Sequence, residues 1–158
     1  MGVNALKVFN LYNVAMKYTQ SAHSIYYTEY HIVFCTKYRL KTLSPGFAKY
    51  TTTTITNIAN RIQGVKINEI NVMPEHVHIV IIIPPKYAVS KIVEILKSRS
   101  AKIVRKKFQW LDNPYYDTDS LWSPGFCAST VGLNETAIRH YVKYQQSQDN
   151  GQAKLELK

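Results

Sequence analysis

Residues 65–83 read VKINEINVMPEHVHIVIII, and this stretch predicts two neighbouring β-strands. Apolar and polar residues alternate over 65–73, as in a strand with one buried face, and residues 76–83 form an almost wholly apolar run. Two residues separate the runs, and so short a connection is most simply the turn of an antiparallel hairpin. Pro84-Pro85 ends the second strand, because proline cannot donate a hydrogen bond to a neighbouring strand.

The flanking sequence predicts further strands and helices on both sides of this hairpin. Residues 24–35, SIYYTEYHIVFC, are rich in aromatic and β-branched residues and predict one long central strand. Residues 44–63 begin with a serine cap and a proline, which favours a helix. Residues 89–108 repeat apolar side chains every three or four positions and predict an amphipathic helix with a basic outer face. An extended segment over 121–130 and a last helix over 135–148 complete the prediction.

This order of elements predicts the fold class. The order is strand, helix, strand, strand, helix, strand and helix. It indicates an α+β fold, a ferredoxin-like or RRM-like antiparallel sheet with helices packed on one face. A length of 158 residues suits a single domain. We expect that domain to span residues 17–148, with residues 1–16 as an N-terminal extension and residues 149–158 as a C-terminal tail.

The charge balance predicts a polyanionic partner. Lys and Arg number 20 and Asp and Glu number 10, so the formal net charge is +10. Such an excess favours nucleic acid over an anionic membrane as the partner. The longest apolar run, residues 79–83, is far shorter than the roughly 20 residues that cross a bilayer, and the first residues do not resemble a signal peptide. Two cysteines, without zinc-site spacing, indicate a reduced, cytoplasmic protein.

The pair His76 and His78 is the sharpest chemical feature of the sequence. Alternation along a strand places both imidazoles on one face, with Cα atoms about 6–7 Å apart, so that one divalent cation can bridge them. Two nitrogens do not fill a coordination sphere, and no nearby residue completes a closed zinc site. The pattern therefore predicts either an open metal site or a purely structural pair. His31, within the first strand, is expected to be packed or hydrogen-bonded in the sheet.

The predicted last helix carries a second candidate pair. Tyr141 and Gln145 are four residues apart, so both lie on one face of that helix. The tyrosine hydroxyl is a possible nucleophile, and the glutamine amide oxygen is a possible hard metal ligand. A role for Tyr141 in the hydrophobic core stays open.

Four segments together resemble the single-tyrosine HUH transposases, the transposase A proteins of small insertion sequences that move as single-stranded DNA. The segments are YHIVFCTKYR (30–39), NVMPEHVHIVIIIPPKYAVSKIVEILKSRSAKIV (71–104), LWSPGFCAST (121–130) and IRHYVKYQ (138–145). The resemblance implies that His76 and His78 bind a metal together with Gln145, and that Tyr141 on the C-terminal helix is the nucleophile. It also implies a dimer in which the tyrosine helix completes the partner's active site.

The resemblance further implies a reaction and a substrate. We expect Mg²⁺ or Mn²⁺ as the cofactor, although by ligand type alone Zn²⁺ or Ni²⁺ would also bind. The expected intermediate is a 5′-phosphotyrosine. The expected partner is single-stranded DNA with hairpins near the element ends. Basic side chains are expected to neutralise phosphates and an aromatic ring to stack on unpaired bases. The predicted DNA contacts are Lys37, Arg39, Lys97, Arg99, Lys102, Arg105 and Trp122.

Two alternatives without transposition remain at this point. A domesticated or decayed relative would bind structured nucleic acid without cleaving it. An RNA-binding module on the same sheet plan would stack bases on sheet aromatics and need neither metal nor nucleophile.

Overall fold

The computed structural model describes residues 19–37, 45–112 and 120–131. The strands in these ranges are β1 (Thr19–Gln20), β2 (Ile25–Tyr26), β3 (Glu29–Cys35), β4 (Lys66–Val72), β5 (His76–Ile82) and β6 (Cys127–Thr130). The helices are α1 (Pro45–Asn60) and α2 (Val89–Lys107), and a short 3-10 helix follows at Gln109–Asp112. None of the helices in the described ranges is both long and apolar enough to cross a membrane.

The four longer strands form one antiparallel sheet in the order β4-β5-β3-β6. In the centre of the sheet, β5 pairs with β3, which lies far from it in sequence. Side chains from α1 and α2 share one hydrophobic core with the inner residues of β3 and β5. The predicted α+β class, with an antiparallel sheet and helices on one face, is confirmed. The predicted last helix and both predicted domain boundaries lie outside the described residues.

Strand β5 shows how the sequence pattern selects the core. Val77, Ile79 and Ile81 are fully buried in the cluster beneath the helices. Because side chains alternate along a strand, His76 and His78 project from the opposite face of the sheet. The hairpin prediction for residues 65–83 is confirmed, since β4 and β5 pair antiparallel.

Strand β4 departs from strict alternation. Alternation over residues 65–73 predicts that Ile67 and Ile70 lie on opposite faces, and this prediction is wrong. The register shifts between Ile67 and Glu69, so that Ile67 pairs with Ile81 and Ile70 pairs with Ile79. The extra residue, Asn68, forms a bulge that returns both isoleucines to the core.

The single long strand predicted over residues 24–35 is divided in the structure. β2 ends at Tyr26 and pairs with β1 in a separate two-stranded sheet, whereas β3 begins at Glu29 in the main sheet. Between them, the Thr28 hydroxyl donates a 2.6 Å hydrogen bond to the carbonyl of Ile83. Strand propensity is equally high on both sides of the break, so composition alone could not reveal it.

Two of the three predicted helices lie within the described residues, and both are confirmed, each with a correction. Helix α1 ends at Asn60, and the turn after it closes at Gly64, where φ is +80°. A Cβ on Gly64 would lie 2.7 Å from Pro84 Cγ, so only glycine fits there. In α2, Ile103 belongs to the apolar repeat over residues 89–108 and was expected on the buried face, but it is 40% exposed, whereas Ser100 is fully buried.

Candidate functional site

The two histidines of β5 lie side by side and are almost fully buried. His76 is 3% exposed and His78 is 7% exposed. Their ring centroids are 4.8 Å apart, with the ring planes inclined at 70°. The side-chain oxygen of Glu75 lies 4.0 Å from His76 Nδ1, which is too long for a hydrogen bond. The geometry brings the two imidazole rings together on the sheet face opposite α1 and α2.

A third imidazole, from β3, contacts this pair. A 3.1 Å hydrogen bond joins His31 Nε2 and His78 Nδ1. The two rings are stacked, with centroids 5.3 Å apart and planes inclined at only 18°. The expectation that His31 is hydrogen-bonded in the sheet is confirmed, but its partner could not be identified from the sequence because 47 residues separate the two.

Burial sets the protonation of these imidazoles. Loss of hydration, the largest cause, and repulsion of positive charge by the neighbouring His76 and His31 together lower the pKa of His78 to about 4. Burial lowers the pKa of His31 as well. Near neutral pH, His78 is therefore the neutral imidazole, which is the form that carries a lone pair for a metal ion.

These residues fit part of a metal site. Two adjacent, buried histidines, one of them held neutral, are suitable nitrogen ligands for a divalent cation. Within residues 19–37, 45–112 and 120–131, no group of three or more His, Cys, Asp or Glu side chains could hold a metal ion. A complete site needs further ligands. The predicted ligand Gln145 and the predicted nucleophile Tyr141 both lie outside the described residues.

The basic side chains predicted to contact DNA differ in their exposure and in their hydrogen bonds. Arg99 and Lys102 are exposed on α2, whereas Arg105 and Lys37 are half-buried. Lys97 donates hydrogen bonds of 2.7 Å each to the carbonyls of Ser123 and Gly125, and burial lowers its pKa. The ammonium group of Lys97 therefore holds the turn at residues 123–125. Arg39 lies outside the described residues.

The prediction that Trp122 stacks on unpaired bases is wrong. Its side chain is 2% exposed, and its indole nitrogen donates a 2.9 Å hydrogen bond to the hydroxyl of Ser100. The ring also packs edge-on against Phe34 at a centroid distance of 4.9 Å. The burial of Trp122 could not be predicted from its neighbours in sequence, because the buried Ser100 that gives its indole a polar partner inside the core lies in α2.

Two other aromatic side chains, which the sequence pattern does not single out, are exposed. Trp110, in the 3-10 helix after α2, is 46% exposed, and Phe126 is exposed beside β6. Phe126 also lines a groove of about 400 Å³ between α2 and the segment at residues 120–126. Lys37 and Lys97 line the same groove, so an aromatic ring and two cations meet there.

The chain is similar in sequence to known transposases. The family model described as "Transposase IS200 like" matches residues 24–145. The transposase of insertion sequence IS200 from Salmonella typhimurium LT2 is 31% identical over 128 residues, which cover 81% of this chain and 83% of that protein. The ISDra2 transposase TnpA of Deinococcus radiodurans is 30% identical over 126 residues, covering 79% and 89%.

Two solved structures share the fold. A crystal structure of a candidate transposase from Deinococcus radiodurans R1 aligns with a TM-score of 0.67 and 28% identity, over 80% of this chain and 97% of that one. A REP-associated tyrosine transposase bound to a REP hairpin aligns with a TM-score of 0.52 and 15% identity, over 82% and 75%. The second similarity concerns the fold alone.

Proposed function

The chain belongs to the IS200-like transposase family, and from this we propose that it cleaves and rejoins single-stranded DNA at insertion-sequence ends through a tyrosine nucleophile. The observation that carries the proposal is the pair of buried, adjacent imidazoles of His76 and His78 on the sheet face opposite the helices. A hydrophobic strand gains nothing in stability from two such groups unless they serve a ligand or a hydrogen-bond network.

In the proposed reaction, Tyr141 is the nucleophile. Its hydroxyl oxygen attacks the scissile phosphorus in line; the new O–P bond forms as the P–O3′ bond breaks. The phenol gives up its proton, and the departing O3′ takes one up, so the products are a 5′-phosphotyrosine and a free 3′-OH. The bond energy is retained in the protein–DNA linkage. A second 3′-OH then reverses the attack and joins new ends without ATP.

A divalent cation, Mg²⁺ or Mn²⁺, is the proposed cofactor. His76, His78 and Gln145 would hold it. When bound, it stabilises the negative charge that develops on the phosphate and on the departing oxygen. Gln145 is four residues from Tyr141, so one helix would carry both the ligand and the nucleophile.

The proposed partner is single-stranded DNA with hairpin ends, and one solved relative of the same fold holds a REP hairpin. Arg99 and Lys102 would contact phosphates. Their replacement by alanine is expected to weaken binding and to lower the slope of log K against log salt by about one for each phosphate that is no longer neutralised. The matched control is Lys91→Ala, because Lys91 already pairs with Glu94 at 3.1 Å and is expected to contribute little.

Formation of a covalent adduct tests the chemistry. Wild-type protein with a hairpin-containing DNA end and Mn²⁺ should yield a protein–DNA adduct on a denaturing gel. Tyr141→Phe should abolish the adduct while binding stays, and Tyr144→Phe on the same predicted helix is the control that should retain it. Binding without an adduct in the wild type, with any divalent metal, would leave a nucleic-acid-binding protein without transposase chemistry.

We also propose a homodimer in which each tyrosine helix serves the partner's histidines. Mixing Tyr141→Phe protein with His76→Ala protein then creates one intact site in a mixed dimer. Partial recovery of adduct formation is expected after subunit exchange. No recovery, once exchange has been verified, would mean that each subunit uses its own tyrosine.

A further inference from the structure

The hydrogen bond between His31 and His78 joins two strands at a defined register. His78 lies opposite Val33, and His31 lies two residues before Val33 on β3, so the two histidines are diagonal neighbours on one sheet face. Their stacked rings and the 3.1 Å separation of His31 Nε2 and His78 Nδ1 fix the orientation of both side chains. The contact therefore involves one particular nitrogen of each ring.

The identity of these nitrogens restricts what His78 can offer a metal. A neutral imidazole has one N–H donor and one lone-pair acceptor. Because Nδ1 of His78 is engaged with His31, only its Nε2 remains to bind a cation. That nitrogen has a free lone pair only if the proton of His78 lies on Nδ1, in which case Nδ1–H donates to Nε2 of His31. In the opposite arrangement, His31 donates and the Nε2 of His78 carries a proton.

We propose that His31 is a positioning residue, which accepts a hydrogen bond from Nδ1–H of His78 and thereby keeps the Nε2 lone pair of His78 directed to a divalent cation. The inference rests on the proposed function, because that function supplies the cation. His31 would act through His78 rather than as a third ligand, since its own Nε2 is the atom that contacts His78 and the described residues hold no three-ligand cluster. Metal-binding histidines commonly need such a partner on their second nitrogen.

Nitrogen chemical shifts of the histidine rings test the assignment without catalysis. In metal-free wild-type protein near neutral pH, His78 should show a protonated Nδ1 and an unprotonated Nε2. His31→Phe keeps a flat ring but removes the acceptor, and His78 should then shift towards the form protonated on Nε2. His31→Gln retains an acceptor oxygen and should restore the wild-type pattern. A proton on Nε2 of His78 in the wild type would overturn the proposal, whatever the variants do.

Mn²⁺ affinity, measured by titration calorimetry without DNA, is the second readout. His31→Phe should weaken binding by about 10- to 100-fold, and His31→Gln should remain close to the wild type. His23→Phe, at an exposed histidine, is the matched control and should leave affinity unchanged. Unchanged affinity in a folded His31→Phe protein would contradict only the role of His31. Absence of Mn²⁺ binding in the wild type would contradict the proposed function and this inference with it.

Discussion

The two faces of β5 are buried in different ways. On one face, Val77, Ile79 and Ile81 pack in the core beneath the helices. On the other face, His76 and His78 are almost equally inaccessible. Burial of an isoleucine is favourable by itself, whereas burial of an imidazole removes hydration that only a hydrogen bond or a ligand replaces. One face of the strand therefore stabilises the fold, and the other is suited to binding.

The largest effect is expected on the histidine face and should appear in activity. His76→Ala with His78→Ala should lower adduct formation by about 10³-fold or more, because a bound metal contributes several kcal/mol to the transition state. The loss of activity is measured by quantifying the covalent adduct on a denaturing gel. His23→Ala is the control at an exposed position. Near-normal adduct formation by the double variant would show that the histidine face is not needed for the reaction.

The next largest effect is expected on the core face and should appear in stability. Ile79→Ala should lower the free energy of unfolding by about 2–5 kcal/mol, since it leaves a cavity in a fully buried site. Urea unfolding followed by circular dichroism measures the change. Residual folded protein should still bind Mn²⁺ with normal affinity. Loss of that affinity at unchanged structure would show that the two faces are coupled.

Addition of metal should sharpen the difference between the faces. At 100 times its dissociation constant, Mn²⁺ should stabilise the wild-type protein by about 2.7 kcal/mol, because it binds the folded chain. Ile79→Ala should retain this increment and His78→Ala should lose it. For each protein, the free energy of unfolding is measured in Mn²⁺ and in chelator, and the difference between the two is the increment. An equal increment in His78→Ala would place the ion elsewhere on the protein.

A smaller effect is expected from the buried hydrogen bond between α2 and Trp122. Ser100→Ala should cost about 1–3 kcal/mol, because the buried indole N–H of Trp122 would be left without its acceptor. Ser98→Ala, at an exposed position in the same helix, is the matched control and should change stability little. Thermal unfolding of both variants provides the comparison. Equal effects would mean that the hydrogen bond contributes nothing beyond helix propensity.

Local pattern predicted much of this arrangement, and its failures have a common cause. Residue spacing over a few positions is enough to predict the hairpin of β4 and β5 and the helix α2. It also predicts that His76 and His78 share one face of β5. The bulge at Asn68 was missed because the register of β4 is set by its pairing with β5. Exposure of Ile103 was not predicted because the residue of this part of α2 that faces the core is Ser100, whose hydroxyl accepts a hydrogen bond from Trp122.

The order of residues along β5 is enough to predict that two imidazoles project from the same side of the strand. The groups that each side chain contacts depend on the tertiary structure. His31 reaches His78 across 47 residues, and Trp122 reaches Ser100 across 22. Spacing along a strand or helix is fixed by local backbone geometry, but burial and hydrogen-bond partners depend on segments that folding brings together from distant parts of the chain.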